Sequence, residues 1–383
     1  MSRAKTGNSP AVPGVPSLEV DPFHAASIPA RLREPLRAAL RGERAAWPED
    51  LSDGEAQSLV DHGLAPLIHS VQPLAALRAA AIRAATVEPL RAEDLRLVLR
   101  ELASRGIEVL LTKGTALAYD LYTKPEHRPR ADVDLLISRE DVPRAIETFR
   151  AMGFDVPETS GDEHAVRQVA LSRTDAFGLQ HHYDLHWAVT NTPLFATALG
   201  FEESRPRAIP IAALGSDARG LDDADALLLA CIHRVAHHHD TERLIWLVDI
   251  ALLSRRMQAE DRRRFWTQAS AAGVIGVCVR SLALAEEWMP GAGFRPEEWL
   301  SAEELGRDEP SRAYLDRDLT YGRTMAADFR ALSWRQRVQR AWQLAFPPAA
   351  FIQQSFGTTN RLILPWLYVR RGARGVVRLF RRA

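Results

Sequence analysis

The chain has 383 residues, 46% hydrophobic and 26% charged, with 49 basic and 49 acidic side chains and a pI near 7.2. That length supports two or three domains with proper cores, and the zero balance argues against an extended nucleic-acid face, which needs a basic excess to neutralise phosphate. With Cys231 and Cys278 as its two cysteines, the chain implies no disulfide framework or cysteine-based zinc site, and a reducing, cytoplasmic setting is expected.

The pattern divides the chain into an N-terminal tail (1–24), a helical region (25–105), an α/β core (106–220) and a C-terminal helical domain (221–383). The tail is rich in Pro, Gly and Ser, has no apolar run long enough for a signal peptide, and is expected to be disordered. No stretch reaches the roughly 18 uninterrupted apolar residues of a membrane span. Helical apolar spacing predicts a helix over 28–39 with Ser27 as N-cap. A second is expected over 52–62, opened by the capping-box pair Ser52 and Glu55. A long Ala/Leu/Arg-rich helix over 74–105 is expected to break or kink at Pro89 and to end at Gly106.

The informative stretch is 107–137, IEVLLTKGTALAYDLYTKPEHRPRADVDLLI. It reads as a buried strand over 107–112, a turn at Lys113 and Gly114, a short helix over 115–122, and a second strand over 131–137. Alternation puts Asp132 and Asp134 on one face, about 7 Å apart, and Val133, Leu135 and Ile137 on the other. At about 5 Å, a distance their side chains can reach, two carboxylates repel by about 3 kcal/mol at an effective dielectric near 20, and a divalent cation such as Mg²⁺ turns that repulsion into attraction. An isolated Asp-x-Asp is more often an edge-strand pair bonded to loop amides or to neighbours such as Arg128 and Arg130. Here a glycine at a strand-to-helix turn stands beside it, leaving backbone N–H groups free for phosphate. The chain holds three lysines, Lys5, Lys113 and Lys124, so a lysine next to that glycine suggests a need for a compact ammonium.

Beyond it, a helix is expected over 140–152, started by Ser138 and stopped by Gly153, with short strands over 154–156 and 166–172. Alternation over 179–189 puts Asp184 and His186 on one face and Tyr183, Leu185 and Trp187 on the other. A short apolar strand or turn is expected over 207–214. One helix over 223–239 brings His233 and His237 to the same side, without the glutamate of a metalloprotease pattern. The apolar helix over 243–254 carries Asp249, which needs an arginine or histidine partner, expected from the preceding helix. Further helices are expected over 262–290 and 310–345, with a loop near Pro290. The tail WLYVRRGARGVVRLFRRA is basic and amphipathic, and contact with anionic lipid or a partner competes with a plain solvated helix.

The ordered set formed by Lys113-Gly114, Arg128-x-Arg130-x-Asp132-x-Asp134, Asp184-Leu185-His186-Trp187, His233/His237 and the segment Arg243 to Ile250 resembles the uncharacterised branch of the DNA polymerase β-type nucleotidyltransferase superfamily. The resemblance implies an α+β fold with a small mixed sheet flanked by helical regions. It implies an NTP on the Gly114 turn, Mg²⁺ (or Mn²⁺) on Asp132, Asp134 and Asp184, and phosphate contacts from Lys113, Thr115, Arg128, Arg130, His186 or His233. The acceptor hydroxyl or amine is left open, as small molecule, peptide or protein. Where most members carry Gly-Ser, this chain has Lys113-Gly114-Thr115, which leaves γ-phosphoryl transfer open. Two rivals remain: an idle nucleotide- or partner-binding module, and a metallohydrolase built on His233, His237 and Asp240.

Overall fold

The computed structural model describes residues 27–157, 167–238, 240–291, 295–316 and 321–379. The expected disordered tail lies outside the described residues, as does the start of the strand expected at Val166.

Four helices lead in: α1 (Ala30–Leu40), α2 (Asp53–Asp61), α3 (Ala65–Val71) and α4 (Arg78–Ser104). The capping box at α2 forms: Ser52 Oγ accepts from the Glu55 N–H at 3.3 Å, and the Ser52 N–H donates to Glu55 Oε2 at 3.0 Å. At α1 the cap is Pro29, not Ser27, and no side chain bonds the first turn. The expected break at Pro89 does not occur, and α4 runs for 27 residues through it. Pro89 deprives only the Ala85 carbonyl of its helical partner. Both residues are exposed, so that carbonyl can bond water, while Leu95, Val98, Leu99 and Leu102 hold the helix to the core. Gly106, at φ 68°, ends the run as expected.

Among the described residues the sheet has six strands: β1 (Val109–Thr112), β2 (Val133–Ile137), β3 (Gln168–Thr174), β4 (Gln180–His186), β5 (Ile209–Pro210) and β6 (Arg219–Gly220). Their order is β3-β4-β2-β1-β6-β5. β1 and β2 run antiparallel, β2 and β4 parallel, and β1 and β6 parallel, giving the mixed sheet the sequence suggested. β2 begins at Val133, so Asp132 stands just ahead of the strand rather than within it. The strand expected over 154–156 reduces to one bridge, Asp155 to Ser172.

Helix α5 (Lys113–Asp120) follows β1 without a linker, two residues earlier than expected. After α6 (Val142–Ala151) and the one-turn α7 (Phe201–Ser204) come α8 (Asp223–Ala236) and α9 (Leu244–Arg256). The helix expected over 262–290 is two, α10 (Ala259–Ala271) and α11 (Ile275–Trp288), parted at Gly273 with φ 65°. The one-turn α12 (Ala302–Leu305), then α13 (Tyr321–Ala331), α14 (Trp334–Ala345), α15 (Ala349–Ser355) and α16 (Leu364–Leu379) complete the described chain.

The two faces of the sheet belong to two cores. Val133, Leu135, Ile137, Tyr183 and Leu185 pack against α4 and α6. Leu110 and Leu136, on the opposite face, join a larger core with α1–α3 and α8–α11. The face that carries Asp134 therefore looks toward α5, α8 and α9.

Candidate active site

Lys113 joins β1 to α5 at φ 50°, in the left-handed region that a side chain enters only at a cost of about 1–2 kcal/mol. That bend ends β1 and starts α5 in a single residue. Thr112, at the helix start, makes no side-chain cap, so the first backbone N–H groups of α5 are not taken by a capping side chain.

Asp134 and Asp184 are direct neighbours in the parallel β2–β4 pair, and Thr112 pairs with Asp134 from β1. Neighbouring residues in register point the same way. Asp134 is buried, and its Oδ1 accepts from Lys113 Nζ at 2.6 Å and meets His186 Nε2 at 2.9 Å. One ligand atom each from Asp134, Asp184 and His186 lie within 4.8 Å of one another, forming a group able to hold a metal ion. Asp132 stands at the exposed edge of this group, and its backbone carbonyl accepts from Thr115 Oγ1 at 3.4 Å. Thr115 itself is fully buried.

The charges in this corner are strongly unequal. Burial raises the Asp184 carboxyl, and the Asp134 and Asp132 charges push it further, to about 7. Asp132, though its side chain reaches solvent, is raised too, by the protein packed around its carboxyl and then by the Asp134 charge. Burial works the same way on Asp134, but Lys113 and His186 outweigh it and hold that carboxyl well below the usual range. Burial, with Lys113 adding to it, keeps the His186 imidazole neutral.

Arg128 and Arg130 are both buried and already paired. Arg128 donates to Asp249 Oδ2 at 2.7 Å, and Tyr122 Oη bonds the other oxygen of Asp249 at 2.7 Å. Arg130 forms a two-point pair with Glu88 at 2.9 and 2.7 Å and lies over the Tyr119 ring. The partner of Asp249 thus comes from the link before β2, not from the preceding helix. A Cβ on Gly114 would stand 2.5 Å from Arg128 Nη1, so the glycine is where the guanidinium passes the backbone.

Beside this corner lies a cleft of about 1780 Å³, whose lining includes Lys113, Gly114, Asp132, Asp134, Asp184 and Arg243. Its far wall comes from α8 and α9. The His233 and His237 rings stack with centroids 5.2 Å apart, and His233 meets Trp246 edge-on at 5.5 Å. Burial first, then Lys113, depresses both imidazoles, His237 to about 3, so these two rings are neutral, with the Arg243 guanidinium over Trp246 beside them. Asp240 does not join them, because it pairs with Arg234 at 2.6 Å and Arg280 at 3.2 Å.

A family model described as an uncharacterised nucleotidyltransferase matches residues 56–290, more than half of the chain. The chain belongs to that family. A comparison with curated proteins finds no match. In this nucleotidyltransferase-family protein the matched span takes in the whole sheet, the corner and the cleft wall.

Of the residues singled out in the sequence, Lys113, Asp134, Asp184 and His186 meet at one point, with Gly114 and Asp132 beside them. His233 faces them from the cleft wall, and Arg128 and Arg130 stand behind in their ion pairs. Sequence reasoning missed Glu88, Tyr119 and Tyr122 as supports. No local signal marked Glu88, which is one of nine charged residues on α4.

Proposed function

We propose that this protein moves a nucleotidyl group from an NTP to a hydroxyl or amine of its acceptor, with Mg²⁺ or Mn²⁺ bound at Asp134 and Asp184 and with Asp132 at the opening. The observation that carries this reading is the side-by-side register of Asp134 and Asp184 next to the start of α5. The donor set fits a divalent ion: two carboxylates supply hard oxygens, and the His186 imidazole beside them adds no positive charge. Bound there, the ion would neutralise triphosphate charge and polarise the phosphorus under attack.

The chain's own groups do the rest. Lys113 holds a compact ammonium at the triphosphate end of the cleft, and the first N–H groups of α5 point their dipole the same way. His186 fixes the orientation of Asp134 through Nε2. Arg128 and Arg130, engaged with Asp249 and Glu88, brace the turn and the approach to β2 instead of binding phosphate directly. The neutral rings of His233, His237 and Trp246 suit an uncharged ring or acceptor body.

The test is parallel incubation with α- and γ-labelled NTPs and candidate acceptors. Transfer of the α label with pyrophosphate release, lost in Asp134→Asn, is the expected result. Transfer of the γ label makes the protein a kinase-like enzyme instead, and no transfer with unchanged nucleotide binding in Asp134→Asn favours an idle module.

A further inference from the structure

The C-terminal helices carry a second surface that the nucleotide site does not use. Between residues 329 and 383 the sequence has eleven arginines and no aspartate, glutamate or lysine. The chain as a whole is neutral, so the rest of the molecule carries the compensating acidic excess. Such segregation is not needed to make a soluble helix, which ordinarily mixes both signs.

The same segment exposes its largest apolar side chains. On α14 and at its C-cap, Trp334, Val338, Trp342 and Phe346 recur every fourth residue and are 69%, 64%, 65% and 56% exposed. Leading into α16 and along it, Leu362, Trp366 and Val369 are 90%, 57% and 71% exposed. Spacings of three and four place each set on one helical side. These helices are not simply undocked, because Leu332, Ile352 and Leu367 are buried. Arg371 also donates to the Leu344 carbonyl at 2.5 Å, fastening α16 to α14. Arginines lie over the exposed rings: Arg335 over Trp334 at 5.4 Å and Arg370 over Trp366 at 5.1 Å.

We propose that this face docks on an anionic lipid surface, lying in the headgroup layer without crossing it. Tryptophans at the apolar–polar boundary, aliphatic neighbours that enter the acyl region, and arginines whose stems reach back to lipid phosphates are what an interfacial helix needs. Among the described residues no helix is long and apolar enough to span a bilayer. Single-stranded nucleic acid answers the arginines and rings but offers nothing to Val338, Leu362 and Val369, which cannot stack on bases. A second copy of the chain answers the apolar stripes but brings the same positive charge to the contact. The inference is independent of the reaction assigned to the cleft.

The experiment is co-sedimentation of the full chain with vesicles of phosphatidylcholine alone or with added phosphatidylglycerol. Binding to the anionic vesicles that weakens in high salt is expected. Arg335→Gln/Arg361→Gln/Arg370→Gln should lower the partition coefficient by about a hundredfold, from roughly fivefold per arginine near an anionic surface. Trp334→Ser/Trp342→Ser/Trp366→Ser should also release the protein while its melting temperature stays within a degree or so of wild type, since the replaced side chains are exposed. The proposal is overturned if wild type ignores anionic vesicles, if both variants bind as wild type does, or if the wild type binds oligonucleotides but not vesicles. It is equally overturned if the apolar stripes prove to be buried in a dimer that excludes lipid.

Discussion

Asp184 allows a quantitative test of the site's electrostatics without any assumption about substrate. Its carboxyl is raised from 3.8 to about 7, by burial first and then by the charges of Asp134 and Asp132. Each tenfold change in proton affinity corresponds to about 1.4 kcal/mol, so the ionised form costs the folded protein about 4 kcal/mol at pH 8. The sign follows from proton counting. Between about pH 4 and 7 the folded state keeps the Asp184 proton and the unfolded chain has lost it, so the folded state binds more protons and stability falls as pH rises. Asp184→Asn is neutral at every pH and escapes this loss. In EDTA the variant should match wild type near pH 4 and exceed it by about 2–4 kcal/mol at pH 8, read from urea unfolding with unchanged slope. Adding Mn²⁺ at pH 8 should reverse the order, because the cation binds the ionised carboxylate of the wild type and has lost a ligand in the variant. A stability difference that is the same at both pH values would refute the electrostatic reasoning.

The remaining expectations concern the supports. Lys113→Ala leaves Asp134 buried beside His186 without its ammonium and should cost about 3–5 kcal/mol in metal-free protein. Mn²⁺ should restore much of that loss in a thermal melt, and no restoration speaks against a cation site at Asp134. Gly114→Ala drives a methyl against an Arg128 guanidinium that Asp249 holds in place, and about 1–3 kcal/mol of destabilisation should appear in denaturant melts. An unchanged midpoint means Arg128 moves freely. Asp249→Ala strands the buried Arg128 and should be harsher, about 3–5 kcal/mol, whereas Tyr122→Phe removes one bond to the carboxylate and should cost about 1.5–3 kcal/mol. Equal effects of those two changes contradict the pairing.

Much of this arrangement is legible in the sequence because it is local. The bend at Lys113-Gly114, the alternation that sets Asp184 and His186 on one face, and the apolar backing of β2 all follow from short spacings. The parallel register that puts Asp184 beside Asp134 does not, since strand partners 50 residues apart are chosen by the whole sheet. The arginines show the same limit. Arg128 and Arg130 read as phosphate ligands because their partners lie 121 and 42 residues away, on α9 and α4. Asp132 reads as a strand residue because alternation extends to it, yet pairing with β4 starts only at Val133. Pro89 reads as a break because a local rule sees the lost hydrogen bond and not the buried face that keeps α4 helical through it.

The most direct measurement is diffraction from crystals soaked with Mn²⁺ and a non-hydrolysable NTP, collected at the manganese edge. An anomalous peak beside the carboxylates of Asp134 and Asp184, with Lys113 drawn to the triphosphate at the start of α5, is the expected result. Manganese settling elsewhere in the cleft, with those two carboxylates untouched, contradicts it.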